Sequence, residues 1–336
     1  GSNGSARIYW SICSFADLPI CFQASRLSEY SGLRTPDSGL QIFQILFRSF
    51  VIMNEKELDS LIKLLDDPDA EVFRHVEQKL ITMGPEVITR LESVWEQSFD
   101  VMLQTRIENL IHKIQFEDVL QELELWKLSG SFDLLQGLII INKYQYPDMD
   151  EQKIVNQIEA IKRDAWLEMI YSMSAVEKVR LLNNIIYNVH GFSGNTSNYH
   201  DPQNSYIGQV LETRRGNPIL LACIYSIVAQ KLDIPIYGVN LPKHFILAYT
   251  EDHTPVEDKH GILFYINAFN RGQIFGRHDV IAFLKQLNLA PSDQFVLPCS
   301  NLDIVTRVLR NLVTSYSQAG NAAKTEEINR LLEVLP

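Results

Sequence analysis

The sequence predicts an α+β protein with a helical N-terminal region, a core of one buried helix on an antiparallel sheet, and a C-terminal helical hairpin. An almost wholly apolar run covers residues 219–232, and three short β-like runs follow it at 236–240, 244–250 and 262–268. Segments with apolar residues at helix spacing flank this part of the chain on both sides. A helix that is apolar all round is a buried helix, and this one is too short and interrupted to span a bilayer.

Composition limits the classes of function. Of the 336 residues 46% are hydrophobic, which supports a large core without disulfides, and four cysteines are too few for a disulfide framework. We therefore expect a cytoplasmic protein. The formal net charge of −11 argues against nucleic-acid and membrane partners. The sequence shows no compact metal-ligand spacing and no phosphate or dinucleotide loop, so we expect no metal and no cofactor.

Residues 1–52 differ from the rest of the chain. They begin Gly-Ser-Asn-Gly-Ser, contain Cys13 and Cys21, and show no sustained period of either kind, and the first methionine is Met53. We interpret this segment as a non-native or disordered extension and expect the natural protein to start at Met53.

Two helical regions flank the predicted core. Residues 53–128 form serial amphipathic helices, and the joint at 64–72 resembles that of a HEAT-type repeat; the region is either a docking surface or a cap on the core. Residues 299–336 form a helical pair broken at Gly320-Asn321 that resembles one TPR-type hairpin. Residues 129–298 between them hold the core and its leading helices.

The buried helix has a clear start signal. Gly216 and Asn217 can cap a helix, and Pro218 suits the first helical position. A long polar loop at 191–205, with Tyr199 and His200, leads into this region. We expect the loop to line a cleft beside the helix start, although it could also be a solvated loop without a ligand.

The same stretch carries a family resemblance. The motifs are Asn204-Ser205-Tyr206, Val210-Leu211, Arg214-Arg215-Gly216, Pro218 and Leu241-Pro242-Lys243-His244-Phe245. Together they resemble the bacterial SirB-type branch of the transglutaminase-like superfamily, over residues 132–335. The resemblance implies a papain-like core, in which active relatives carry a Cys at the helix start, a His on one strand and an Asp on the next.

This chain departs from the active pattern. The position of the family cysteine falls on Pro218, which has no nucleophilic atom, while His244 matches the histidine and Asn267 takes the carboxylate position. We expect His244 and Asn267 to approach each other across neighbouring strands as a relict of the triad. Cys223 lies about 140° further round the helix than Pro218, so we expect a buried and inert thiol.

Three hypotheses of function follow. The first is a non-catalytic domain that binds a protein or peptide in the old cleft. The second is a hydrolase or amide-transfer enzyme that uses His244 with an unrecognised nucleophile, for which Ser205 is one possibility. The third is an anion sensor, with Arg214, Arg215 and His244 at the helix start. The candidate binding residues are Asn204, Ser205, Tyr206, Arg214, Arg215 and Asn217.

Overall fold

The computed structural model describes residues 55–251 and 261–335, which lie in one compact unit. The predicted extension at 1–52 and the proposed start at Met53 fall outside these ranges. The N-terminal helices are α1 (Glu55–Lys63), α2 (Ala70–Met83), α3 (Ile88–Gln97) and α4 (Val101–Leu128), with short 3-10 turns at Leu64–Asp66 and Pro85–Val87.

The joint between α1 and α2 contains Asp67-Pro68, but α2 does not begin there. The cap of α2 is Asp69, whose carboxylate accepts the N–H of Glu71 at 2.7 Å. Asp67 instead accepts the N–H of Asp69 at 2.8 Å, so the helix begins two residues later than Pro68.

The long helix α4 links two hydrophobic clusters. Its first half buries Ile107, Leu110 and Ile114 against α1–α3, and its second half buries Leu123 and Trp126 in the main core. Because one continuous helix contributes to both clusters, the helical region and the core share a rigid element.

The core helices surround the predicted central helix. They are α5 (Leu134–Gln145), α6 (Glu151–Glu168), α7 (Ala175–Asn183, continued by a π-helical turn at Asn184–Val189), α8 (Ile207–Thr213) and α9 (Pro218–Gln230). Helix α9 is the predicted buried helix, and it is buried from Ile219 to Ala229. Burial of a Leu or Ile side chain stabilises a fold by about 1.5–3 kcal/mol, so α9 is a main source of stability.

The sheet has four antiparallel strands, one more than the sequence indicated, in the order β3 (Ile236–Val239), β4 (Ile246–Thr250), β5 (Ile262–Asn267) and β6 (Gln273–Phe275). The short β6 pairs Phe275 with Tyr265. Two further strands, β1 (Ser193–Gly194) and β2 (Arg215–Gly216), form a separate parallel pair before α9.

The two faces of the sheet are covered by different helices. Leu247 and Ile266 belong to the main core with α9, whereas Ile246 and Tyr265 pack on the other face with α10 (Arg277–Gln286) and α11 (Asp293–Val296). This alternation along β4 and β5 is the period-2 pattern of a strand buried on both sides.

The C-terminal hairpin consists of α12 (Asn301–Gln318) and α13 (Ala322–Val334). Helix α12 buries Val305, Leu309 and Leu312 in the same cluster as α9. The predicted hairpin therefore packs directly on the core, and the α+β fold class is confirmed. In the described ranges no helix combines the length and the apolar character needed to cross a membrane.

Candidate functional site

The start of α9 is held by Asn217, as the sequence predicted. Its Oδ1 accepts the N–H of Leu220 at 2.9 Å, and its Nδ2 donates to the hydroxyl of Ser205 at 2.8 Å. Pro218 is the first helical residue, so the predicted helix start is confirmed. The cap satisfies one of the donors that a helix N-terminus leaves unpaired.

A pocket of about 140 Å³ lies at this helix start. Its walls come from the 191–205 loop, the first residues of α9, the segment before β4, and α12. The lining residues are Tyr199, His200, Asn217, Pro218, Ile219, Lys243, Phe245, Arg307, Asn311, Thr314 and Ser315. Tyr199 packs edge-on against Phe269, with ring centroids 6.1 Å apart, which braces the loop against the end of the sheet.

One face of α12 supplies the polar wall of the pocket. Arg307, Asn311 and Ser315 follow one another at four-residue intervals, so they lie on the same side of the helix. Arg307 donates hydrogen bonds to Asn240 Oδ1 and, at 3.3 Å, to the carbonyl of Leu241. Burial lowers the pKa of the Arg307 guanidinium.

Sequence reasoning missed these three residues as part of the site. They lie about 90 positions after Pro218, in a hairpin that we interpreted as a separate unit. The available signal was a stripe of polar residues along an amphipathic helix, a pattern that is also typical of a solvated face.

His244 lies just outside the strand that the sequence assigned to it. The strand β4 begins at Ile246, because Lys243 adopts a left-handed conformation (φ 64°) that ends the turn before it. The exposed His244 ring packs edge-on against Phe283 of α10 at 4.9 Å, whereas its neighbours Lys243 and Phe245 line the pocket.

Asn267 also makes a local contact. Its side chain accepts the N–H of Asn270 at 3.2 Å and caps the 3-10 turn that follows β5. The pocket lining thus contains the nucleophile position, Pro218, but neither His244 nor Asn267. The approach of His244 to Asn267, and with it a relict triad, stays a prediction.

The residues of the Asn-Ser-Tyr motif are buried next to the pocket, where Asn204 bonds the backbone of the lining residue Tyr199. Asn204, Ser205 and Tyr206 are at most 3% exposed. Asn204 donates to the carbonyls of Asn198 and Tyr199, and the Tyr206 hydroxyl lies 2.8 Å from that of Tyr316. Their polar atoms are used internally, so a direct binding role for them stays a prediction.

The two adjacent arginines have different environments. Arg214 ends α8 in a left-handed conformation (φ 60°) and places its guanidinium 4.9 Å from the centre of the Phe192 ring. One buried nitrogen of that guanidinium, Nη1, has no hydrogen-bond partner, and burial lowers its pKa. Arg215 is exposed on β2. Both lie outside the pocket lining, so their binding role is still a prediction.

The two cysteines in the described ranges are poor nucleophiles. Cys223 is 1% exposed in α9, which confirms its predicted burial, and desolvation raises the pKa of its thiol. Burial also raises the pKa of Cys299 to about 12, and its Sγ donates to the carbonyl of Gly238 at 3.3 Å. At neutral pH neither thiol ionises appreciably, and the thiolate is the reactive form.

Metal chemistry has no support in residues 55–251 and 261–335. No group of three or more His, Cys, Asp or Glu side chains there is arranged to hold a metal ion. The expectation of a site without a metal or other cofactor rests on the sequence.

Comparison with known proteins found one family model that matches the central part of the chain. The family model described as "Transglutaminase-like superfamily" matches residues 152–310, a range that contains Pro218, His244 and Arg307. No solved structure matches the chain.

Three relatives illustrate how far the similarity extends. A UPF0162 protein of Xylella fastidiosa (strain Temecula1) is 31% identical over 233 residues, which are 64% of this chain and 78% of the relative. A UPF0162 protein of Vibrio cholerae is 26% identical over 155 residues, 46% of this chain and 54% of the relative. F-box only protein 21 of Mus musculus is 34% identical over 92 residues, 27% of this chain and 15% of the relative.

Proposed function

The chain belongs to the UPF0162 family and carries a transglutaminase-like domain, and from this premise we propose that it is a binding module rather than an enzyme. In this proposal the pocket at Pro218 receives a segment of a peptide or protein and forms no covalent bond with it. The proposal includes membership of the SirB-type branch, on the motifs named above, and a cytoplasmic location.

The observation that carries the proposal is the residue at the helix start. A thiol enzyme of this superfamily needs a thiolate at the N-terminus of the central helix, and the resemblance puts that position on Pro218. A pyrrolidine ring cannot attack a carbonyl. Cys223 is buried deeper in α9 and its raised pKa keeps it protonated, so it is no substitute.

The alternative of a hydrolase has less support. It requires a nucleophile within hydrogen-bond reach of its base. The Ser205 hydroxyl accepts a hydrogen bond from Asn217, and the His244 ring packs on Phe283, with no hydrogen bond between Ser205 and His244. The pocket instead combines aromatic, apolar and polar walls, which is typical of a recognition site.

A displayed peptide library tests the proposal. Peptides selected on the immobilised protein are synthesised with a fluorescent label, and their affinities are measured by anisotropy. Asn311→Trp fills the pocket from α12, and Arg310→Trp places the same ring on the exposed neighbouring position. We expect Asn311→Trp to weaken binding by about tenfold or more and Arg310→Trp to leave it unchanged.

The same samples test for chemistry. After long incubation the mass of each bound peptide should be unchanged. Cleavage or amide transfer that His244→Ala abolishes would overturn the proposal in favour of the enzyme, and equal binding by Asn311→Trp would place the binding surface elsewhere.

A further inference from the structure

The pocket at Pro218 is cationic in a protein that is acidic overall. Lys243 and Arg307 both line it, His200 is a third basic side chain, and none of the lining residues is Asp or Glu. The whole chain has a net charge of −11, so this local excess of positive charge opposes the general trend. Such a pocket favours an anionic group.

Asp201 is the carboxylate nearest in sequence to the lining residue His200, and it bonds within its own loop. Asp201 follows His200, and its two oxygens accept hydrogen bonds from the N–H of Gln203 at 2.9 Å and from the Asn198 amide at 2.7 Å. It holds the turn of the loop together and is absent from the lining. The positive charge of the pocket is therefore not neutralised from within the lining residues.

Unused hydrogen-bond donors lie beside the cations. Ser315 is 9% exposed and lines the pocket, yet its hydroxyl has no partner among the residues that the structure describes. The Asn311 amide, one turn earlier on α12, is also unpaired within the same part of the chain. Both residues line the pocket, so their donors can bond an acceptor group of a ligand there.

Arg307 is fixed in place before any ligand binds. Its Nη1 donates to Asn240 Oδ1 and to the Leu241 carbonyl, on the segment that also carries Lys243. Arg307 is thus anchored on the α12 side of the pocket, and Lys243 lines the pocket from the turn before β4. Such preorganisation reduces the entropy lost when a ligand binds.

We propose that the pocket at Pro218 binds a carboxylate of the peptide partner, between Lys243 on one wall and Arg307, Asn311 and Ser315 on the other. The inference rests on the proposed function, because it names the group by which the peptide is recognised. The first turn of α9, at Pro218 and Ile219, adds its positive dipole end to the same space.

The charge of the pocket distinguishes a carboxylate from a phosphate. Sites for phosphorylated residues use clusters of arginines, because phosphate carries nearly two negative charges at neutral pH. Here Lys243 is the one exposed lysine of the lining, and one nitrogen of Arg307 is already bonded to protein acceptors. A monoanion with neutral donors matches this set, and about 140 Å³ suits a small planar group.

Four probes test the proposal by NMR on the full-length protein. They are acetyl-trialanine with a free C-terminal carboxylate, the same peptide as its C-terminal amide, amidated acetyl-Ala-Glu-Ala, and inorganic phosphate. We expect at least one carboxylate peptide to shift the side-chain amide signals of Asn311 and the amide peptide to bind about tenfold more weakly or worse. Binding by the first peptide alone identifies a chain terminus, and binding by the third alone identifies an acidic side chain.

Variants link the binding to the pocket. Lys243→Gln and Ser315→Ala should each weaken binding of the carboxylate peptide by about fivefold or more. The control Arg310→Gln, at an exposed position of α12, should have no effect on this binding. Three results would each overturn the proposal. The carboxylate peptides and the amide peptide could bind equally, or phosphate could bind more tightly than either carboxylate peptide. The third result is that Lys243→Gln and Ser315→Ala bind the carboxylate peptide as well as Arg310→Gln does.

Failure of this inference can be separated from failure of the proposed function. If selected peptides bind in the pocket whether or not they carry a carboxylate, the binding module stands and the carboxylate inference is wrong. If Asn311→Trp blocks no selected peptide, the binding surface lies elsewhere and the function proposed for the pocket is wrong.

Discussion

Asn217 and Ser205 share a hydrogen bond of 2.8 Å that joins the polar loop to the start of the central helix. The Asn217 Nδ2 donates to the Ser205 hydroxyl, its Oδ1 caps Leu220, and its N–H donates to the carbonyl of Asn204 at 3.3 Å. One side chain thus fixes both the helix start and the turn that carries Tyr206. The pocket beside it owes its shape to this junction.

Asn217→Ala should lower the free energy of unfolding by about 2 kcal/mol. Loss of the cap contributes about 1 kcal/mol, and the buried Ser205 hydroxyl left without this partner contributes a similar amount. Urea unfolding followed by circular dichroism measures the change. Asn329→Ala, at an exposed position within α13, is the control and should change stability little. A cost below about 0.5 kcal/mol for Asn217→Ala would show that the junction contributes little.

The hydroxyl pair of Tyr206 and Tyr316 predicts an asymmetry between two Phe variants. Tyr316 donates to Gln145 Oε1 at 2.9 Å, so Tyr206 is the donor across the 2.8 Å contact. Tyr316→Phe leaves the buried Tyr206 hydroxyl unpaired, whereas Tyr206→Phe leaves Tyr316 still bonded to Gln145.

We therefore expect Tyr316→Phe to be the more destabilising, by about 1 kcal/mol, and the double variant to cost less than the sum of the two. Thermal and urea unfolding of the four proteins gives the cycle. Additive effects, or the reverse order, would contradict this assignment of donor and acceptor.

Asp118 on α4 makes stability depend on pH. Desolvation, followed by the nearby charge of Glu122, raises the pKa of Asp118 to about 6, although Lys143 acts in the opposite direction and Glu86 adds to the increase. The folded protein thus binds this proton more tightly than the unfolded chain. The tighter binding of this proton stabilises the folded protein fully below the unfolded pKa of about 4, and this stabilisation is lost as the pH rises through about 6.

Asp118→Asn should therefore stabilise the protein at pH 7 by about 1 kcal/mol, a value reduced for solvent screening of a half-buried group, and change little at pH 4. Urea unfolding at both pH values measures the difference. Glu124→Gln, exposed on the same helix, should show no such pH-dependent gain. Equal stabilisation by Asp118→Asn at both pH values would mean that burial, not ionisation, is responsible.

Sequence reasoning succeeded where one local pattern determined the structure. The start of α9 at Pro218 and the burial of Cys223 follow from residues within a few positions of one another. The sheet was less predictable. The strand β6 has three residues, and its position depends on pairing with β5 rather than on a period of its own.

The site itself required tertiary information. His244 was assigned to the strand, but the turn at Pro242-Lys243 extends further and leaves its ring on Phe283. Arg307 and Ser315 reach the pocket because α12 packs beside α9, a contact that no local spacing reveals. The charge of the pocket became apparent only when His200, Lys243 and Arg307, about 40 to 110 positions apart, were brought together.

The last prediction concerns a thiol restored at the helix start. In Pro218→Cys combined with Cys223→Ala, the new thiol would lie in the pocket beside the N-terminal end of α9 and near Lys243. A helix N-terminus and a nearby ammonium both favour the thiolate and lower its pKa. Cys223 of the unmodified protein is buried and its pKa is raised, so iodoacetamide should label the restored thiol at least about tenfold faster. Peptide mapping by mass spectrometry separates these thiols from Cys13, Cys21 and Cys299.

The restored thiol should nevertheless hydrolyse no peptide, because the His244 ring packs against Phe283 outside the pocket and a thiolate without a positioned acid cannot protonate the leaving amine. Rapid labelling of Cys223 in the unmodified protein would contradict its burial. Peptide hydrolysis by the restored thiol that His244→Ala abolishes would show that the pocket retains catalytic machinery.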